Sequence, residues 1–246
     1  MLMSSLFFFI AVVIVFVAYF VKGFTGFGPA LILIPSLSHF FPPQQVIYLS
    51  TLLDVFAGIY LLISVYRLID WKMVLPVLML FFPGAYLGAR LLSALDVLLL
   101  KRLLGMTMLF FIGLIWFNTL PRENALTFKL RQTVTLPVSF FAGIGGGLFG
   151  ISGPLLVVYF KLALKKAAFR AQLIAIFAFG ALWRLFLYHS LGQRLHLQWW
   201  QFGIFLLTML GAIYTGSLLH LHINQKKFDR VVALVLLVPS FSLLFS

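Results

Sequence analysis

The stretch GIGGGLFGISGP, Gly143 to Pro154, lies inside an apolar region, carries six glycines, ends in a proline and leads directly into the short run Leu155 to Phe160. Half a chain earlier GFTGFGP, Gly23 to Pro29, repeats the device; the spacings Gly26 to Pro29 and Gly150 to Pro154 differ by one residue. Backbone that breaks a helix at membrane depth is tolerated only where it is buried in protein or lines a cavity. Each break is therefore a candidate site, and its alternative is a kink that lets helices pack.

Composition places the breaks at membrane depth. Of 246 residues 63% are hydrophobic and 9% charged, with a mean hydropathy of +1.13, whereas a soluble domain is about half apolar and a quarter charged. Apolar runs such as Leu6 to Val21, Val74 to Leu92 and Leu103 to Trp116 recur, and about 20 such residues cross a bilayer as a helix. The expected class is an all-α integral membrane protein, with the lipid bilayer as its first partner. The net charge of +13 comes from 18 basic residues against Asp54, Asp70, Asp96, Glu123 and Asp229. Most Lys and Arg fall at the ends of apolar runs, where loop topology and anionic lipid account for them, so no nucleic acid is expected. So few carboxylates leave any polar cavity electropositive, which suits a small anionic solute. The chain has no cysteine, hence no disulfide or thiolate metal site. No Lys or Arg precedes Leu6, so that run reads as a retained first span rather than a signal peptide.

Candidate spans are 4–22, 44–66, 72–92 and 98–118, then 131–149, 168–190, 198–221 and 227–246, with two shorter apolar pieces, 28–40 and 152–164, after the breaks. The two halves align: Trp71 with Trp199, Gly88 with Gly216 and Arg102 with Arg230 share one offset, and GAYLGARLL parallels GAIYTGSLL. This predicts two homologous repeats of four to five helices each, over 1–120 and 131–246, joined by a polar linker at 121–130. Gly84, Gly88, Gly211 and Gly216 are expected to let helices approach closely. The connection carrying Lys161, Lys165, Lys166 and Arg170 is basic, while its counterpart from His39 to Gln45 has no Lys or Arg. Equivalent loops of opposite bias favour inverted repeats. The loop with Arg90, Lys101 and Arg102 argues the other way, so parallel repeats stay open, as do eight against ten spans.

Enzyme signatures are absent: there is no phosphate-binding lysine loop, GxSxG elbow or HExxH. His196, His220 and His222 fall at span ends, and an i, i+2 pair does not share a helix face. No enzyme activity, cofactor or metal is expected. A short helix beginning at depth presents unpaired N–H groups and a positive dipole end to an anion, and Pro29 and Pro154 suit a first helical turn. The expected substrate-binding positions are accordingly Thr25, Gly26 and Gly28 in the first break and Gly150, Ser152 and Gly153 in the second. Lys22 borders the first break. Asp54, Arg184 and Arg170 also fall within spans, where charges usually meet a partner or a wet cavity. Asp54 and Arg184 either pair with each other, or Arg184 and Arg170 hold the solute while Asp54 carries a coupling proton or cation. Ser50, Thr51 and Gln172 are candidates to line the same cavity.

The segments KGFTGFGPALILIP (22–35) and GIGGGLFGISGPLLVVYF (143–160), with PPQQVIYLSTLLDVFAG (42–58) and KKAAFRAQL (165–173) after them, resemble the TauE/SafE group of sulfite and organosulfonate exporters over nearly the whole chain. The resemblance implies a multi-pass protein of the bacterial inner membrane that moves small sulfur-containing anions such as sulfite, sulfoacetate or taurine-derived products. With no ATP-binding motif, the expected function is secondary transport coupled to an ion or proton gradient through Asp54. An anion channel, a non-transporting membrane scaffold and assembly as a homodimer remain open.

Overall fold

Helix starts in this chain are marked by the few polar residues it has. Asp70 accepts the Lys72 N–H through Oδ1 (3.0 Å) and Asp96 the Leu99 N–H (2.6 Å), each capping the helix that follows. Gln201 Oε1 takes the Gln198 N–H at 3.1 Å ahead of the last described helix, a capping-box arrangement. In the computed structural model residues 5–116, 128–163, 166–193, 195 and 197–219 are described. They form α1 (Ser5–Thr25), α2 (Pro29–Leu37), α3 (Pro43–Val65), a 3-10 turn (Tyr66–Leu68), α4 (Trp71–Ala94), α5 (Val97–Trp116), α6 (Phe128–Phe149), α7 (Gly153–Ala163), α8 (Lys166–Ser190) and α9 (Trp199–Leu219). No strand occurs among the described residues. Residues 121–127 of the expected linker, the span 227–246 and His196, His220 and His222 lie outside them, while the linker's last three residues, 128–130, are instead the start of α6.

Five of the described helices are long and apolar enough to cross a membrane. Their outward faces agree: Ile63, Met79 and Leu207 are 69%, 72% and 71% exposed, a surface that lipid accepts and water does not. The short apolar pieces after the breaks are the helices α2 and α7.

The glycine-rich stretch differs from expectation. The helix α6 runs through Gly143, Gly145, Gly146 and Gly147 and ends only at Phe149, so the break is confined to Gly150–Ser152. The reason is packing. A methyl added at Gly143 would collide with the Phe81 carbonyl oxygen and one at Gly147 with that of Ala85. These glycines are there to let α6 lie against α4.

The described chain divides into two compact units that cut across its halves. One comprises the described residues of Met1–Leu53, Leu95–Asn118 and Arg194–Ser246, the other those of Asp54–Ala94 and Thr119–Gln193. In the first unit α1 packs on α9. Phe8 meets Trp200 and Phe205 with ring centroids 5.2 and 5.3 Å apart, and Gly23, fifteen residues on, lies against Ile213. The two helices therefore run in the same direction. After the break α2 turns back, bringing Phe40 to 5.5 Å from Phe7. The start of α3 then runs with α1, the Tyr19 hydroxyl reaching the Ser50 carbonyl at 3.2 Å.

In the second unit α6 packs on α4, again in the same direction, with Gly84 against Phe140 and Gly88 against Ile144. The helix α7 turns back so that Tyr159 and Thr135 hydrogen-bond through their hydroxyls. The helix α8 runs with α4: Gln172 holds the Leu68 carbonyl and the Asp70 N–H at 3.2 and 3.0 Å, and Trp183 Nε1 donates to the Phe82 carbonyl at 3.0 Å. The end of α3 runs against α8, with Asp54 beside Arg184 and Gly58 against Ala178. Of the four glycines expected at helix crossings, Gly84, Gly88 and Gly216 are found there. Gly211 is exposed and a methyl on it would meet nothing among the described residues.

Candidate functional site

The end of α6 collects most of the polar atoms buried in the second unit. Gly150, with φ 69°, ends the helix in the left-handed region, where glycine is tolerated best. Its N–H returns to the Gly146 carbonyl at 2.9 Å, and the Ile151 N–H reaches past Gly147 to the Gly145 carbonyl at 3.2 Å. The Gly147 carbonyl is thereby left without its usual i+4 donor, a situation helix ends must resolve. Tyr188 of α8 resolves it, donating its hydroxyl at 2.6 Å. One turn earlier on the same face of α8, Arg184 Nη1 donates to the Gly146 carbonyl at 3.2 Å, and its Nη2 lies 3.6 Å from Asp54 Oδ2. The Arg184 and Asp54 residues are 4% and 6% exposed, so the charges meet away from solvent, where such a pair must be well satisfied to hold its cost.

The start of α7 comes to the same place. Ser152 is buried, and a methyl added at Gly146 would lie 3.2 Å from its Cβ and 3.1 Å from the ring of Phe81. The Phe81 ring also fills the space left by Gly180 of α8. The residues that converge are thus Gly146, Gly150, Ser152, Gly153, Arg184, Tyr188 and Asp54, backed by Phe81. The negative carbonyl end of α6, the positive N-terminal end of α7 and a guanidinium meet at one point, an arrangement able to orient a small anion. The pairing of Asp54 with Arg184, one of the two alternatives read from sequence, is formed.

Arg170 does not join them. It stands fourteen residues before Arg184 on the same helix, about 21 Å along its axis at 1.5 Å per residue. Gln172 is occupied in clamping the 3-10 turn to α4 and is not a cavity residue. Of the described carboxylates, Asp70 and Asp96 cap helices, which leaves Asp54 alone at depth.

The break in the first unit is built differently. Gly26 and Gly28 have φ 83° and 90°, so this turn uses two left-handed glycines where the other uses one. Gly28 is the N-cap of α2 and Pro29 its first residue, as the sequence predicts. The Gly26 N–H returns to the Lys22 carbonyl at 2.7 Å. Lys22 is 4% exposed and its Nζ stands 5.6 Å from the centroid of the Tyr19 ring. Ser50 Oγ is buried with no hydrogen-bond partner among the described residues, while Thr51 Oγ1 donates to the Ile47 carbonyl at 2.9 Å. The side chain of Thr25 lies outside the described residues.

Tyr188 and Phe81 escape a reading by sequence. The signal for Tyr188 is its spacing: it follows Arg184 by four residues, the helical interval that puts two side chains on one face. Phe81 is one apolar residue among many.

Over residues 11–243 the chain matches the family described as sulfite exporter TauE/SafE. No curated protein and no solved structure matches it.

Proposed function

As this chain belongs to the TauE/SafE sulfite exporter family, we propose that it is a secondary transporter of a small sulfur-containing or organic oxyanion, of the sulfite and sulfoacetate class, in the bacterial inner membrane. The observation that carries the proposal is the convergence in the second unit of a helix carbonyl end, a helix start and the buried Arg184 around Gly146. Interrupted short helices in corresponding positions of two halves are the usual apparatus of such transporters. Gly150, Ser152, Gly153 and Arg184 would hold the solute, and Thr25, Gly26 and Gly28 would supply the matching start at α2. Arg170, so far along α8, would act at another depth of the path. Asp54 is the proposed coupling residue.

The repeats are proposed to be inverted. The basic connection carrying Lys161, Lys165, Lys166 and Arg170, set against the stretch His39 to Gln45 without Lys or Arg, supports this, while the loop with Arg90, Lys101 and Arg102 argues for parallel repeats.

Flux of labelled sulfite and sulfoacetate in proteoliposomes, with and without a pH gradient, tests the function. Movement of either anion that responds to the pH gradient is expected. Absence of any anion flux would leave only a scaffold role, and flux sensitive to the solute gradient alone would replace coupled transport by a channel.

A further inference from the structure

The guanidinium of Arg184 is held by one edge and left open at another. Its Nη1 is anchored on the Gly146 carbonyl at 3.2 Å. The Nε and Nη2 protons point along a second edge, the fork that takes two oxygens of a carboxylate or sulfonate side by side. Of these two nitrogens Nη2 has Asp54 Oδ2 at 3.6 Å, beyond hydrogen-bond distance, and Nε is buried with no hydrogen-bond partner among the described residues. A committed arginine–carboxylate pair closes to roughly 2.7–2.9 Å with both protons used. Leaving a buried N–H unpaired is costly, so a pair kept purely for stability would be expected to close that fork.

We infer that Asp54 is the resident counter-ion of Arg184 and that the transported oxyanion takes its place, two solute oxygens engaging the Nε–Nη2 edge while Nη1 stays on Gly146. Carboxylate and solute are then mutually exclusive ligands of one guanidinium. The inference rests on the transporter reading above and adds to it which edge of which residue binds the solute and what the solute displaces. An oxyanion with two coplanar oxygens is the ligand chemistry this edge selects; a spherical halide cannot span it.

The test is direct binding to the purified full-length protein in detergent at one fixed pH, with sulfite, sulfoacetate and chloride as probes. Asp54→Asn removes the competitor and should tighten sulfite or sulfoacetate binding on the order of tenfold. Chloride should gain much less. Arg184→Gln should lose oxyanion binding, and Arg184→Lys, which keeps the charge without the fork, should recover only part of it. Where Asp54→Asn proves too unstable to purify free, its melting temperature in sulfoacetate against chloride gives the same information: the oxyanion should raise it by more than it raises the parent protein. Unchanged or weaker oxyanion binding in Asp54→Asn, an equal gain for chloride, or no extra thermal rescue would overturn the inference. Its failure is separable from failure of the transport reading. Flux with no tightening in Asp54→Asn leaves transport standing without this exchange, and tightening in a protein that moves no anion leaves the exchange standing without transport.

Discussion

The same helix crossing is built twice, and the two copies differ in how far the backbones interlock. In the first unit Gly23 lies against Ile213 and Gly216 against Phe20. In the second Gly147 lies against Ala85 and Gly88 against Ile144. The correspondence is residue by residue: Gly23 and Gly147 each stand three before the left-handed glycine of their break, and Ile213 and Ala85 each stand three before the glycine of the partner helix. In the second unit a further turn is interlocked, with Gly84 against Phe140 and Gly143 against Phe81. The difference extends to the buried cation. The first break has Lys22 of the broken helix itself, near Tyr19, whereas the second has Arg184 of a neighbouring helix, hydrogen-bonded to α6 with Asp54 beside it. One frame thus carries two polar insets of different construction.

The largest effect should separate those insets. Arg184→Gln removes the guanidinium beside buried Asp54 and should cost about 3–5 kcal/mol of stability. Lys22→Gln gives up at least the cation–π contact with Tyr19, worth about 0.5–2 kcal/mol. Chemical unfolding in detergent compares them, and equal losses would mean that both cations are fastened alike. Next come the glycines. Gly147→Ala should destabilise by about 1–3 kcal/mol, because its methyl meets backbone that cannot repack. Gly23→Ala should cost less, since α1 and α9 are pinned over one turn and can pivot. If thermal unfolding ranks Gly23→Ala as the worse variant, the extra turn of interlocking in the second unit adds no rigidity. The smallest effect is that of Tyr188→Phe, which strands the Gly147 carbonyl and should cost on the order of 1 kcal/mol. Hydrogen exchange should show the loss at Gly150 and Ile151 rather than along α8.

Much of the frame is legible in sequence because membrane helices announce themselves by length and by their breaks. Pro29 directly after Gly28 marks the start of α2, and the shared offset of Gly88 and Gly216 points to two glycines that each sit at a helix crossing. What the sequence hides is which glycines break a helix and which join two. Gly143 and Gly147 look like part of the break, yet they are helical and belong to the crossing with α4; only Gly150, with its positive φ, belongs to the turn. Composition cannot separate these uses, since both ask for the absence of a side chain. The polar site was half visible. Asp54 and Arg184 stand out as charges within apolar runs, but Tyr188 acts through a hydroxyl on a carbonyl that only the altered bonding of Ile151 leaves vacant. Arg170 looks equivalent to Arg184 in sequence and is separated from it by the length of the helix they share.

The α1–α9 crossing has a consequence for how the protein is made. The partner of α6 is already in the membrane when α6 emerges, because α4 precedes it. The first helix of the chain must instead wait for Ile213 and Gly216. At about 5–20 residues per second of synthesis, α1 spends roughly ten to forty seconds in the bilayer with its glycine notch at Gly23 uncovered, so a chain that stalls before α9 would leave an insertion intermediate exposed to quality-control proteases.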